Sequence, residues 1–316
     1  MKRREFIKKA GKAAALAAVA TETGLLFEGC HAEFEKATVP KPDFEIAPDP
    51  NLPRIALAKK PNHVEALRAA LDAVGGIGRF VKKGERVLLK PNVAFDRTPQ
   101  QAVNTNPVVV GEMVRLCREA GAADIIVTDY GTRSPRITFE RSGIREAAEN
   151  NGGRIVYVGH FDFLETDLKG RFIKDWPVLK HIFEIDRLIN MPIAKHHGMV
   201  NGTAAMKNFF GIIGGNRSFL HRQINQAIVD LAAFFRPTLT VVDATRVLIR
   251  NGPQGGSLGD VRIHDSVICA TDQVAADARA GDFLGRAGRD IPHVVLAAEQ
   301  GLGELDYQKA GYIEIN

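Results

Sequence analysis

Four short polar clusters follow predicted strands, and their side chains are of the kinds that bind anions, hold metals or move protons. They are Lys90-Pro91-Asn92, Asp129-Tyr130-Gly131, Lys195-His196-His197 and Asp243-Ala244-Thr245. Taken singly, each cluster is explained as a solvated strand end, a helix cap or a turn. In open parallel sheets, however, ligands bind outside the carboxyl ends of the strands. The coincidence of four clusters at strand ends therefore predicts one crevice.

The third cluster lies in a segment without acidic residues. Residues 187–229 contain no Asp or Glu, where about five of the chain's 37 would be expected. The segment carries five cations and three histidines: Arg187, Lys195, Lys207, Arg217, Arg222, His196, His197 and His221. Cations without local acids must find counter-charge elsewhere, either on the aspartates at the strand ends or on an anionic ligand. The residues between these cations are largely apolar, which argues against a solvated basic face.

The leading hypothesis is that a small carboxylate or phosphate-bearing molecule binds at these strand ends. The candidate ligand-binding residues are Lys90, Asn92, Lys195, His196, Asn208, Arg217 and Gly255. His197 or His221 would supply acid–base chemistry, with Lys207 as the third candidate catalytic residue. The glycines of residues 198–215 and 251–256 could present backbone N–H groups to an anion. Their spacing matches neither a dinucleotide fingerprint nor a P-loop, so nucleotide binding is not indicated.

Two alternatives use the same residues differently. A metal-dependent hydrolase or oxidoreductase would bind a divalent metal through two histidines and a carboxylate, chosen from His196, His221, Asp129 and Asp243. Adjacent His196 and His197 cannot both face one ion from a regular strand, because successive side chains point to opposite sides. The other alternative is a non-enzymatic carrier or assembly factor for a cofactor protein.

The cysteines limit redox chemistry. The chain has three, Cys30, Cys117 and Cys269, and no C-x-x-C pair. An iron–sulfur cluster is therefore not expected from this chain alone. Any redox reaction would need a partner protein.

The N-terminus has the pattern of a twin-arginine export signal. Residues 2–8 read Lys-Arg-Arg-Glu-Phe-Ile-Lys, and the Ala-rich stretch at residues 13–20 is too short to span a bilayer. We expect residues 1–32 to be a signal peptide, the twin-arginine translocon to be a transient partner and the location to be periplasmic or otherwise extracytoplasmic. Lipidation at Cys30 is the alternative to cleavage after Ala32.

Loss of the signal changes the charge balance. Residues 1–32 hold six of the 42 Lys and Arg and three of the 37 Asp and Glu, so a net charge of +5 falls to +2. The remainder has no basic tract. Nucleic acid is therefore not an expected partner, and no integral membrane segment is expected.

The elements that must position these residues follow from the hydrophobic pattern. Residues 33–53 contain five prolines among charges and predict an extended, unpacked linker. Residues 54–316 predict a single α/β domain: a mostly parallel, doubly wound-type sheet with helices on both faces. Residues 161–186 predict a small irregular excursion. The predicted strands are residues 54–58, 86–90, 124–129, 154–158, 187–193, 239–243, 261–270 and 312–315. The predicted helices are residues 64–74, 107–120, 144–150, 203–213, 219–235, 273–284 and 292–299.

Residues from about 54 to 312 resemble the domain-of-unknown-function 362 family. The motifs that carry the resemblance are Leu89-Lys90-Pro91-Asn92, Asp129-Tyr130-Gly131, Lys195-His196-His197, residues 206–211 (Met-Lys-Asn-Phe-Phe-Gly), His221, Pro237, residues 242–244, residues 252–255 and residues 271–278. The resemblance implies an α/β domain, frequently exported by the twin-arginine route and frequently fused to a ferredoxin-like module. It implies no established reaction, and this chain lacks the cluster-binding cysteines of the fused members.

Overall fold

The computed structural model describes residues 34–38 and 40–316. The chain divides into two units, residues 1–35 and residues 36–316, and the second contains every element described below. The predicted signal peptide, with its cleavage and lipidation sites, lies outside the described residues.

Eleven strands form in the described part of the chain. They are β1 (Ile55–Lys59), β2 (Arg86–Pro91), β3 (Asp124–Val127), β4 (Arg154–Ile155), β5 (Phe163–Asp167), β6 (Asp175–Leu179), β7 (Arg187–Met191), β8 (Ile193–Lys195), β9 (Leu239–Leu248), β10 (Val261–Ala270) and β11 (Ile313–Ile315). Nine of them make one sheet in the order β11-β1-β10-β9-β7-β2-β3-β4, with β8 paired to β9. Strands β5 and β6 form a separate antiparallel hairpin, which is the predicted excursion.

The sheet is mixed but mostly parallel. Strands β9, β7, β2, β3 and β4 are adjacent in that order and run parallel to one another, as do β1 with β11 and β8 with β9. Strand β10 is antiparallel to both β1 and β9. The carboxyl ends of β2, β3 and β8 come together at one edge, where the sequence predicted the crevice.

Eight α-helices connect these strands. They are α1 (His63–Ala73), α2 (Ile77–Phe80), α3 (Pro107–Glu119), α4 (Pro135–Arg141), α5 (Ile144–Asn150), α6 (Ile224–Phe235), α7 (Gln273–Asp282) and α8 (Pro292–Glu299). Side-chain caps fix three of the starts, because Asn62, Asn106 and Asp272 each accept hydrogen bonds from the first backbone N–H groups of α1, α3 and α7.

Two hydrophobic cores cover the two faces of the sheet. Ala56 and Ala58 of β1 lie in the core formed with α1, α3 and α5, whereas Ile55 and Leu57 lie in the core formed with α7. This alternation is the two-residue period of a strand buried on both sides. The prediction of an α/β sheet with helices on both faces is confirmed.

Three predicted elements differ in detail. Strand β9 continues five residues beyond Asp243, because it pairs with β10 along an antiparallel ladder that reaches Leu248. The predicted helix at residues 203–213 is a 3-10 segment, Met206–Ile212. The helix predicted to begin at Phe219 starts as a 3-10 turn, Phe219–Gln223, before α6.

The segment predicted to be an unpacked linker is packed. Phe44 is fully buried, and the Lys41 ammonium lies 4.7 Å from its ring centroid. Lys36 pairs with Glu165 as a parallel bridge beside β5. The prolines keep this segment extended, but the buried ring of Phe44 anchors it to the domain.

No helix among residues 34–38 and 40–316 combines the length and the apolar character that crossing a membrane requires.

Candidate functional site

A cavity of about 560 Å³ opens at the carboxyl ends of β2, β3 and β8. Its lining is strongly cationic, since it includes Lys90, Arg133, Lys195, Lys207 and Arg217, with Asp129 as the one carboxylate among the lining residues. His197 and His221 also line it, and Phe95, Tyr130 and Phe210 contribute aromatic walls. The acid-free segment thus supplies most of the charge.

A buried ion pair forms the floor. Lys90 at the end of β2 and Asp129 just after β3 are 1% and 2% exposed, and Lys90 Nζ lies 2.7 Å from Asp129 Oδ1. Lys90 also donates to Asn208 Oδ1 and to the Pro91 carbonyl, both at 2.9 Å. The ammonium thus makes one ion pair and two hydrogen bonds, all with protein atoms. Asp129 Oδ2 accepts from the Val93 backbone N–H. Lys90 is therefore committed to contacts within the protein.

The 3-10 segment Met206–Ile212 places its side chains in three rows, because side chains three residues apart eclipse each other in this helix. Met206, Phe209 and Ile212 form the first row and are fully buried in the core. The second row, Asn208 and Gly211, faces the ion pair. The third row, Lys207 and Phe210, lines the cavity, with Lys207 Nζ 4.6 Å from the Phe210 ring centroid.

Asn208 is the hub between the strands. Its Oδ1 accepts from Lys90 Nζ and from Asn92 Nδ2 at 3.1 Å, and its Nδ2 donates to the Lys90 carbonyl and to Asn190 Oδ1. All four hydrogen-bonding positions of the amide are used within the protein. Asn208 therefore positions Lys90 and Asn92, although it was predicted to bind ligand.

Asp277 of α7 fixes the start of the 3-10 segment. Its two carboxylate oxygens accept from the backbone N–H groups of Ala205 and Met206 at 2.7 and 2.9 Å. Burial raises the pKa of Asp277 to about 6, against the opposing effect of these hydrogen bonds. Sequence reasoning did not single out Asp277, although it belongs to the 271–278 motif.

Arg217 connects two segments of the backbone. Its guanidinium donates to the carbonyls of Tyr130 and Phe210 through Nη1, at 2.6 and 3.0 Å, and to the carbonyl of Gly131 through Nη2, at 3.0 Å. It also lies 4.8 Å from the Tyr130 ring centroid. These contacts tie the loop after β3 to the 3-10 segment, so most of this cation's donors serve the protein.

Lys207 and Lys195 are different. Among the described residues, Lys207 Nζ has no hydrogen-bond or ion-pair partner, and Lys195 Nζ bonds only neutral oxygens, Asn92 Oδ1 at 3.0 Å and the Val103 carbonyl at 2.7 Å. Burial, together with the charges of Arg217 and Lys90, lowers the pKa of Lys207 to about 8. Burial and the charge of Lys207 lower the pKa of Lys195 to about 7. The cavity thus holds cations that lack counter-charge.

The two histidines carry opposite tautomers. His197 Nδ1 accepts from the Met199 backbone N–H at 3.3 Å, so we assign the hydrogen to Nε2. His221 Nδ1 lies 3.2 Å from the Arg217 carbonyl, which can only accept, so we assign the hydrogen to Nδ1 and a lone pair to Nε2. Burial, with nearby lysines, lowers the pKa of His197 to about 3, so this ring is a neutral donor. Of the two histidines predicted to take part in acid–base chemistry, His221 is thus the one whose Nε2 can accept a hydrogen bond in the neutral ring.

The four residues predicted to hold a metal do not meet. Asp129 and His221 line the cavity, but Asp129 is taken up by Lys90 and Val93. His196 faces away, as strand alternation requires, and its Nδ1 accepts from the Gly252 N–H. Asp243 lies inside β9, where it accepts from the Asn106 N–H and from Thr245. No group of three His, Cys, Asp or Glu suited to a metal occurs in the described part of the chain.

Several lining residues were missed by sequence reasoning. They are Phe95, Thr132, Arg133, Thr203, Phe210, Ser218, Pro253 and Gln254. Pro253 and Gln254 belong to the glycine-rich loop from which Gly255 was predicted, and Gly255 itself packs against Leu248 and Val103. Exposed Arg133 follows the Asp129-Tyr130-Gly131 motif by two residues, and this proximity in sequence could have indicated that it lines the cavity.

The model of the family described as "Domain of unknown function (DUF362)" matches residues 87–282. This range includes every lysine, asparagine and histidine that lines the cavity, and the match confirms the resemblance found in the motifs. The chain belongs to this family.

Two known proteins are similar to the chain. "Thylakoid-associated protein sll1697" from Synechocystis sp. (strain ATCC 27184 / PCC 6803 / Kazusa) is 29% identical over 253 residues, which cover 75% of this chain and 74% of that protein. The lactate racemase apoprotein from Thermoanaerobacterium thermosaccharolyticum has a solved structure that matches with a TM-score of 0.44 and 13% identity, over 78% of this chain. This chain spans 61% of that chain's length, a likeness too weak to transfer an activity.

The close approach of Gly211 to the ion pair gives a stability prediction. A Cβ at this position would lie 1.7 Å from Asp129 Oδ1 and 2.6 Å from Lys90 Nζ. Gly211→Ala should separate the pair and lower the free energy of unfolding by about 3 to 5 kcal/mol, as breaking a buried ion pair does. Urea unfolding of the two proteins measures this.

Gly198→Ala is the matched control, because a Cβ there meets no atom within 4 Å. It should change the unfolding free energy by less than about 0.5 kcal/mol. Equal stability of both variants and the parent would show that Gly211 is not needed for the approach.

Proposed function

We propose that this DUF362 protein binds a small anionic molecule, bearing a carboxylate or phosphate group, in the cavity at the ends of β2, β3 and β8. One observation carries the proposal. Lys207 and Lys195 line the cavity without an acidic partner, while the one lining carboxylate, Asp129, is already paired with Lys90.

The charge balance of the lining explains why an anion would bind. Lys90 and Arg217 direct most of their hydrogens at protein oxygens, whereas Lys207 has all three available and the ammonium form of Lys195 has one. Burial first, and neighbouring cations second, lower the pKa of both lysines, since no acidic partner of their own offsets these effects. A bound anion would supply the missing counter-charge through charge-assisted hydrogen bonds, which are stronger than hydrogen bonds between neutral groups.

The cavity also fits a ligand larger than a simple ion. Its volume of about 560 Å³ lies within the usual range of small-molecule sites, roughly 300 to 1,000 Å³. Phe95 and Phe210 offer apolar contacts for a carbon skeleton, and exposed Arg133 adds a further cation to the lining.

Acid–base chemistry is the finer part of the proposal. His197 would donate from Nε2 to a ligand oxygen, and His221 would accept a proton at Nε2. Opposite tautomers in one cavity serve a reaction that moves a proton, and a carrier would not require them. This favours an enzyme over a carrier.

We also propose export by the twin-arginine route, on the basis of Arg3 and Arg4 with the Ala-rich stretch that follows. Replacing both arginines with lysine, which keeps the charge, should leave the protein in the cytoplasm. Cell fractionation followed by immunoblotting measures this, and unchanged recovery in the periplasmic fraction would exclude this route.

Removing the charge of Lys207 should weaken anion binding. Lys207→Met keeps the stem over Phe210 but loses the ammonium, and we expect the affinity for sulfate and for malonate to fall by at least about tenfold. Isothermal titration calorimetry measures the affinity. Lys59→Met, at an exposed lysine of β1 outside the cavity, is the control and should bind as the parent does. Parent-like binding by Lys207→Met would contradict the proposal.

Sulfate binding should weaken as the pH rises. The two lysines have lowered pKa values of about 7 and about 8 in the free protein, and a bound anion raises them. Both are charged below pH 7 and lose charge through these values, so sulfate should bind at least about tenfold more weakly at pH 9 than at pH 6. Titrations in buffers of different ionisation enthalpy should show proton uptake between about pH 7 and 9. Affinity that does not change with pH would contradict this.

A further inference from the structure

Two lysines at the same edge of the sheet are held in opposite ways. Lys90 touches a carboxylate, so its ammonium form is stabilised by Asp129 at 2.7 Å. Lys195 is equally buried, at 3% exposed, but its partners are an amide oxygen and a backbone carbonyl. Burial without a negative partner favours the uncharged amine.

The contacts of Lys195 suit that neutral amine. An amine has two hydrogens and one lone pair, and Asn92 Oδ1 and the Val103 carbonyl accept the two hydrogens. Asn92 cannot turn its amide to offer a donor instead, because its Nδ2 is used by Asn208 Oδ1 at 3.1 Å. With both hydrogens directed at protein oxygens, the lone pair is the remaining binding position of a nitrogen that lines the cavity.

The charged groups around Lys195 also favour the uncharged amine. Lys207 and Lys90 both repel a proton on Lys195, and Asp129, which would attract one, is paired with Lys90. The lowered pKa of Lys195, about 7, agrees with this geometry. A lysine that is desolvated beside another cation is the usual form of an amine nucleophile in proteins.

We propose that Lys195 forms an imine with the carbonyl carbon of a small oxo acid whose carboxylate is held by Lys207. This inference rests on the proposed anion binding and deepens it, because it names the class of ligand: a molecule with a carboxylate next to a ketone or aldehyde. Lys207 supplies the anion contact, and Lys195 supplies the covalent bond.

Formation of the iminium takes up one proton from solvent and releases one water. The lone pair of Lys195 Nζ attacks the carbonyl carbon, and a proton passes from nitrogen by way of His221 Nε2 to the carbonyl oxygen. His221 Nε2 then takes a proton from solvent and passes it to the hydroxyl, which leaves as water as the C=N bond forms. The C–N bond forms at the lone pair and the nitrogen has given up one hydrogen, so the iminium keeps one of its two hydrogen bonds to Asn92 Oδ1 and the Val103 carbonyl. His197 Nε2–H is the donor available to the oxygen.

Reductive trapping tests this. The protein is incubated with pyruvate and sodium cyanoborohydride at about pH 7.5, and the modified lysines are located by peptide mass spectrometry. An ordinary lysine is about 0.1% neutral at that pH, whereas the lowered pKa of Lys195, about 7, gives it a far larger neutral fraction. We expect modification of Lys195 at least about tenfold above that of exposed Lys59, with sulfate slowing it by competition.

Two variants and one substitute ligand serve as controls. Lys195→Arg keeps hydrogen-bond donors but cannot form an imine, and it should lose the modification. Lys207→Met should require at least about tenfold more pyruvate, since the nucleophile remains and the anion contact does not. Acetate, which has no reactive carbonyl, should give no modification. Circular dichroism confirms that each variant is folded.

The outcomes separate this inference from the proposed function. Sulfate binding without modification of Lys195 above the level of Lys59 would overturn the imine and leave anion binding in place. Modification of Lys195 that neither sulfate nor Lys207→Met affects would support the nucleophile and overturn the anion contact. Neither binding nor modification would overturn both.

Discussion

The arrangement of this site depends on a lysine and an aspartate that meet out of contact with water. Lys90 and Asp129 come from neighbouring parallel strands and are both almost fully buried. Such a pair is costly to desolvate and holds only when its remaining hydrogen-bonding positions are filled. Asn208, Pro91 and Val93 fill them. The backbone of the 3-10 segment must also approach closely, which a glycine at position 211 permits.

That pair decides what the other cations are free to do. Asp129 is the one carboxylate of the lining, and its engagement with Lys90 leaves Lys195 and Lys207 without an acidic partner. Arg217 contributes little to ligand contacts because its guanidinium is bound to three backbone carbonyls. The site therefore contains both cations committed to structure and cations with unused binding capacity. Charge alone does not distinguish them.

The sequence predicted the fold class, most strand positions and the location of the crevice. Strand periodicity and polar residues at strand ends are local signals, and the acid-free segment around Lys207 identified the cationic wall. Strand pairing is not a local property of the sequence. The extension of β9 past Asp243, which places that aspartate inside the strand and away from the cavity, could therefore not be predicted. Nor could the sequence separate Lys90 from Lys195, because the difference lies in partners 39 and 103 residues away. Phe44 shows the same limit for the N-terminal segment, whose prolines masked one buried ring.

The three rows of Met206–Ile212 have a consequence for how this protein can vary. One row holds the segment in the core, a second completes the ion pair, and a third faces the cavity, so neighbouring positions in the sequence carry separate duties. A substitution at Lys207 or Phe210 can alter the chemistry offered to a ligand without disturbing Asn208 or Gly211. An insertion of a single residue would instead rotate the side chains that follow it by about a third of a turn. The contacts of all three rows would then be disrupted together. Changes of ligand are therefore open to point substitution, whereas changes of length in this segment are not.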